Sequence, residues 1–125
     1  MTVRVDDQFF SSKRIADDDV RLFADISGDH NPLHLDAEFA STTMFKRRIV
    51  HGVLTVSLIS AALASMPGTI ILLNFSLSFE KPVYINDDLT AKVTVRRDPG
   101  RQIHMVAKVT RGNDIVSGTV DVLRR

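Results

Sequence analysis

The stretch SGDHNPLH, residues 27–34, crowds a carboxylate, two imidazoles and a carboxamide around one proline. Asp29 and His34 stand five residues apart across that proline, so a turn can aim both side chains into one cavity. A carboxylate and an imidazole sharing one water can act as base and acid in the same reaction, one taking a proton as the other delivers one. Positioned groups of this kind contribute on the order of 10²- to 10⁴-fold each. Each residue also has a plainer use. Asp29 after a glycine suits an Asx turn, Asn31 can shape the loop by bonding backbone, and His30 can face solvent. The chain has no cysteine, which removes thiol nucleophiles, zinc thiolates and disulfides together.

The loop needs elements on both sides to aim it. Residues 8–14 read as a short strand, followed by a helix that starts at Asp17, Asp18 and Asp19, whose oxygens suit an N-terminus. Val20, Phe23, Ala24 and Ser27 recur at helical spacing, and Gly28 closes the helix, so Asp29 to Leu33 is expected to be irregular. Asp36 caps a second short helix through Phe39, Ala40 and Thr43. After IVHG, residues 49–52, comes VLTVSLISAALASM, apolar on nearly every face, which predicts a helix enclosed by other elements and stopped by Pro67 and Gly68.

From Ile70 the period becomes that of strands. Ile70 to Phe79 is a long β-type run; Leu89, Ala91, Val93 and Val95 alternate with polar residues, as do Ile103, Met105, Ala107 and Val109, and Ile115 to Leu123 gives a weaker strand. Asp98-Pro99-Gly100 and Gly112-Asn113-Asp114 read as turns. Four consecutive strands after a buried helix predict an α+β architecture, a curved antiparallel sheet wrapped around that helix. At 125 residues and 44% apolar content, residues 1–125 are expected to form a single domain. Its 16 basic and 15 acidic residues leave a net charge of +1, too little to favour nucleic acid or an anionic membrane. The opening MTVRVDDQFF lacks an apolar signal core, so a soluble cytoplasmic protein is expected.

SGDHNPLHLDAEFA, then IVHG opening the apolar helix, then FSLSFEKPVYINDDL entering the strands, resembles the MaoC-like, (R)-specific enoyl-CoA hydratase family of hot-dog fold proteins. The resemblance runs over roughly residues 15–95. It implies hot-dog subunits assembled as a homodimer or higher homo-oligomer, acyl thioester substrates, and reversible addition of water to a trans-2-enoyl-CoA. It further implies that Asp29 and His34 are the catalytic pair, with Ser60 and the Gly52 backbone in support. No metal and no separate cofactor are called for, since coenzyme A is part of the substrate. Arg48 stands where the family often has proline, and Val53 where methionine or leucine is common.

Hydration needs a donor for the charge that builds on the thioester oxygen. Gly52, at the start of the buried helix, offers a free N–H at the positive end of the dipole and no side chain to obstruct a thioester. Ser60, eight residues on, either bonds its own helix backbone or serves the site by orienting His34 or lining an acyl tunnel. His51 either contacts substrate or packs at the helix start. Lys46, Arg47 and Arg48 are either a solvated face or a site for the phosphates of coenzyme A, with Lys81, Arg96 and Arg97 as weaker candidates. Dehydration of acyl-carrier-protein thioesters and acyl-CoA thioester hydrolysis share the fold. Both commonly use an acidic residue on the central helix, and Val53 to Met66 contains none, although a MaoC-like hydratase can still accept a carrier-protein thioester.

Overall fold

In the computed structural model, which describes residues 2–98 and 100–125, strand β1 covers Gln8–Arg14 and helix α1 covers Asp17–Ser27. The three aspartates fill the first turn, where the helix dipole favours negative charge. The N-cap itself is Ala16, not an aspartate: Asp19 reaches back and accepts the Ala16 amide N–H at 2.8 Å. Gly28 closes α1 at φ +81°, a left-handed conformation that a residue with a side chain adopts less readily. The expected irregular segment is partly helical. Pro32–Leu35 forms a single turn, α2, because proline at a first helical position gives up an amide that has no partner there anyway. Asn31 caps that turn by accepting the Leu33 N–H at 3.1 Å. Asp36 then caps α3, Ala37–Ser41, by accepting the Phe39 N–H at 3.1 Å.

Helix α4 is Gly52–Ala64, followed by β2 (Ile70–Phe79), β3 (Asp88–Arg97), β4 (Gln102–Thr110) and β5 (Asp114–Arg124). All neighbours are antiparallel, in the order β1-β3-β4-β5-β2. The alternation in β3 and β4 sets the inner face as expected: the eight apolar residues from Leu89 to Val109 are each at most 1% exposed. They close over Leu58, Ile59, Ala62 and Leu63 of α4, which gives the hot-dog architecture. Consecutive strands are not all neighbours, however. β2 pairs with β5, and residues 80–87, interrupted by Pro82, cross to β3 because they are too long and irregular for a tight hairpin. Of the expected turn at Asp98-Pro99-Gly100, Pro99 lies outside the described residues.

The crossing segment positions the site. Val50 donates its N–H to the Val83 carbonyl at 2.7 Å, and Ile49 bridges to Tyr84, so the strap leading into α4 is pinned to the sheet. The helix is not enclosed on every side in this chain. Val53 is 67% exposed, and Ser57 and Ser60 face outward. Ile71, Leu72, Leu73 and Phe75 of the edge strand β2 are also exposed, so an apolar edge stands open beside the open face of the helix. Among the described residues no helix is long and apolar enough to cross a membrane.

Candidate active site

The chain leaves α1 through Gly28 and immediately presents Asp29 at the surface. One carboxylate oxygen, Oδ1, accepts the Asn31 N–H at 3.2 Å, so Asp29 makes the Asx turn, and its other oxygen remains free for chemistry. Asn31 acts on backbone alone. His30 stays at the surface, where Asp25 at 3.2 Å raises its basicity. His34, buried on α2, donates from Nδ1 to the Ile49 carbonyl at 2.8 Å. A carbonyl can only accept, so that bond fixes the proton on Nδ1 and leaves Nε2 with a lone pair.

His51 packs behind the pair. It is 2% exposed, donates from Nε2 to the Asp29 carbonyl at 3.0 Å, and stacks on His34 with ring centroids 4.0 Å apart and planes at 31°. Phe23 of α1 closes its edge, with centroids 4.8 Å apart. Donor atoms of Asp29, His34 and His51 all lie within 4.8 Å of one another. Two groups hydrogen-bonded to one water sit roughly 4 to 5 Å apart, given bonds of ~2.8 Å, so this spacing suits a shared water. It suits a metal ion poorly. Ring-nitrogen lone pairs lie in the ring planes, so two stacked imidazoles aim theirs side by side and not at one point.

Gly52 follows His51 as the first residue of α4, and no acceptor among the described residues meets its N–H. A cavity of about 330 Å³ opens here, walled by His34, Phe45, Gly52, Thr55, Phe79 and Val83 among others. Phe79, at the end of β2, lies against Gly52 so closely that an added Cβ would come within 2.9 Å of its ring. Asp29 is not part of that wall. A second, almost wholly apolar groove of about 240 Å³ runs between α4 and the β2–β5 pair, and Ser60 lines it with Phe23, Leu63, Leu72, Phe75 and Val120. Ser60 lies about 12 Å along the helix from Gly52, so it lines a groove and does not orient His34. The local bond expected of a mid-helix serine is made by Ser57, to the Leu54 carbonyl at 2.5 Å, and not by Ser60.

The basic trio divides. Arg48 turns inward: Nε donates to the His34 carbonyl at 2.7 Å, Nη2 sits 2.6 Å from the Asp17 carboxylate, and only 14% of the side chain is exposed. It is therefore a clamp between α1 and α2, not a phosphate ligand. With Arg21, it holds the Asp17 carboxyl below the usual carboxylate range. The Arg47 guanidinium lies over the Tyr84 ring at 3.8 Å, and both Arg47 and Lys46 are exposed. Of the weaker candidates, Arg96 pairs with Asp6 and Arg97 reaches His104, while Lys81 is exposed. The Arg48 clamp and the His51 contacts have no sequence signature beyond residue type, because their partners lie 14 to 31 residues away in the chain.

Burial holds the His51 imidazolium below its ordinary value of 6.5, with His34 opposing the charge and the Asp29 carbonyl partly offsetting this. The unfolded chain thus binds a proton near pH 6.5 that the folded protein refuses. This contribution to stability is intact above that pH and is lost as pH falls from 6.5 toward the depressed folded value. Melting temperatures taken across that window should decline on the acid side, and His51→Gln should flatten the decline. An equal slope in the variant would place its origin elsewhere.

The family model for the MaoC like domain matches residues 5–118. An (R)-specific enoyl-CoA hydratase of Aeromonas caviae is 51% identical over 86 residues, 67% of this chain and 64% of that protein. One from Rhodospirillum rubrum is 48% identical over 86 residues, 67% of this chain and 60% of that protein. Each match therefore spans less than two thirds of the curated relative. The solved structure of the (R)-hydratase from A. caviae involved in PHA biosynthesis superposes with a TM-score of 0.93 at 38% identity, covering 99% of this chain and 98% of that one.

Proposed function

Because the chain belongs to the MaoC like domain family, we propose that it is an (R)-specific enoyl-CoA hydratase, adding water reversibly to trans-2-enoyl-CoA. The observation that carries this reading is the meeting of Asp29 and His34 at the spacing of a shared water, beside the unpartnered amide that opens α4. The free Asp29 oxygen takes a proton from the water as its oxygen attacks the β-carbon. That same proton is the one the α-carbon requires: it passes from Asp29 to the lone pair of His34 Nε2, which the Ile49 carbonyl leaves free by fixing the tautomer, and from there to the α-carbon, so both groups return to their starting states. The Gly52 N–H donates to the thioester oxygen as negative charge grows on it; a preorganised donor of this type is worth about 2.7 to 4 kcal/mol of barrier. Ser60 and its apolar neighbours supply a wall for the acyl chain. Lys46 and Arg47 attract the phosphates of coenzyme A. No metal or separate cofactor enters the scheme.

A homodimer in the cytoplasm belongs to the same proposal. The open apolar strand β2 and the uncovered face of α4 support it, since a second copy would cover both. Sedimentation at a mass near 13.9 kDa would remove the dimer. The relatives named as hydratases favour a CoA thioester over a carrier-protein thioester, and the missing acid on α4 weighs against thioester hydrolysis. The decisive assay follows loss of the enoyl chromophore of crotonyl-CoA, with chiral analysis of the alcohol. Formation of the (R)-3-hydroxyacyl thioester is expected. Free thiol released without hydration would replace the reading with a thioesterase. Run at increasing ionic strength, the same assay should show KM rising as salt screens Lys46 and Arg47, and a salt-independent KM would remove their role.

A further inference from the structure

The three groups that the hydratase reading needs come from three separate segments: Asp29 from the loop after α1, His34 from α2, and the Gly52 N–H from the start of α4. One side chain touches the first two and directly precedes the third. His51 donates from Nε2 to the Asp29 carbonyl at 3.0 Å, lies face to face with His34 at 4.0 Å, and is covalently joined to Gly52. It is 2% exposed and held from behind by Phe23, so it has little room to move. Its Nδ1 is buried without a hydrogen-bond partner among the described residues. A histidine chosen only to fill space would be an odd choice there, since an apolar ring fills the same space without an orphaned polar atom. The donor at Nε2 is what an apolar ring cannot supply.

We propose that His51 is a positioning residue, which ties the Asp29 loop to the start of α4 through its Nε2 hydrogen bond and so keeps Asp29, His34 and the Gly52 amide in register. This inference rests on the hydratase reading above. A neutral ring suits this role, because Nε2 carries the proton that the Asp29 carbonyl accepts, and a second proton would enter a buried space without an acceptor, facing His34 and His30. Without the bond, Asp29 remains at the end of an exposed loop, anchored only by its neighbours Ser27 and Asn31. A shift of about 1 Å at such a group can lower rate by 10²-fold while substrate still binds.

Two variants separate the donor from the ring. His51→Phe keeps the stack and loses the hydrogen bond, whereas His51→Gln loses the ring and carries an amide N–H to nearly the place of Nε2. With crotonyl-CoA as substrate and folding checked by melting temperature, His51→Phe should lower kcat roughly 10- to 100-fold with KM within about twofold. His51→Gln should recover to within about fivefold of the parent. Equal losses in the two folded variants, an unchanged kcat in His51→Phe, or a loss expressed in KM would each overturn the role. Imidazole nitrogen spectra of the unaltered protein read the bond without reference to activity: His51 should carry its proton on Nε2 and His34 on Nδ1. A protein with those tautomers that hydrates no enoyl-CoA would overturn the hydratase reading alone, and a His51 protonated on Nδ1 would overturn the anchoring.

Discussion

Asp29→Asn is expected to lower kcat for enoyl-CoA hydration by roughly 10²- to 10⁴-fold while the melting temperature stays close to that of the parent. The substitution is chosen because the structure gives Asp29 two separable jobs. Its Oδ1 accepts the Asn31 N–H, and an asparagine carbonyl oxygen can do the same, so the turn survives. What is lost is the negative charge and the lone pair that would take a proton from water. His34→Asn is the matching test. An asparagine amide can replace the Nδ1–H that meets the Ile49 carbonyl, but nothing replaces Nε2. The two groups work on one water, so the double variant should be little worse than either single one, and additive losses would mean independent roles. If folded Asp29→Asn kept near-parental turnover, the carboxylate would be misassigned and the turn would be its whole purpose.

How much of this is legible in the sequence depends on whether a residue's partner is local. The inner face of β3 and β4 follows from period-two alternation, and the closure of α1 from Gly28, because both signals act within a few residues. α2 is hidden because Pro32 reads as a helix breaker unless one sees that it occupies a first helical position with Asn31 as its cap. Strand order is hidden for a different reason. Periodicity gives the face of each strand but not its neighbour, and the pairing of β2 with β5 depends on the crossing segment that also pins Val50. In the site, the Asp29–His34 juxtaposition is readable from a proline turn. Arg48 is not: a run of three basic residues looks solvated, and only folding brings Asp17 and the His34 carbonyl to its side chain. Ser60 misleads through spacing, since residues eight apart on one helix share a side only loosely and here face different cavities.

Two glycines divide the site from its scaffold, and alanine at each should fail in opposite ways. At Gly52 the added methyl first meets the Phe79 ring, at 2.9 Å from Cε1 and 3.3 Å from Cζ. That ring is 56% exposed and can swing aside, so Gly52→Ala should cost about 1 kcal/mol of stability or less, the low end for an overpacked site. Turnover should fall up to roughly 10²-fold, because the methyl sits beside the amide that the thioester oxygen must reach. Gly118 lies opposite Ala107 on one side and Leu77 on the other, in the middle of the β4-β5-β2 ladder. There the methyl would overlap the Ser76 carbonyl oxygen and come within 2.9 Å of Leu77 Cα, and backbone cannot swing aside without parting the strands. Gly118→Ala should therefore destabilise by about 3 kcal/mol or more, beyond an ordinary overpacked site, while the folded fraction keeps its kcat. Urea unfolding and active-site-normalised turnover measured on both variants distinguish the cases. A destabilised Gly52→Ala with parental turnover would mean that the bare Cα exists to seat Phe79, and the thioester oxygen would then have to find its donor elsewhere.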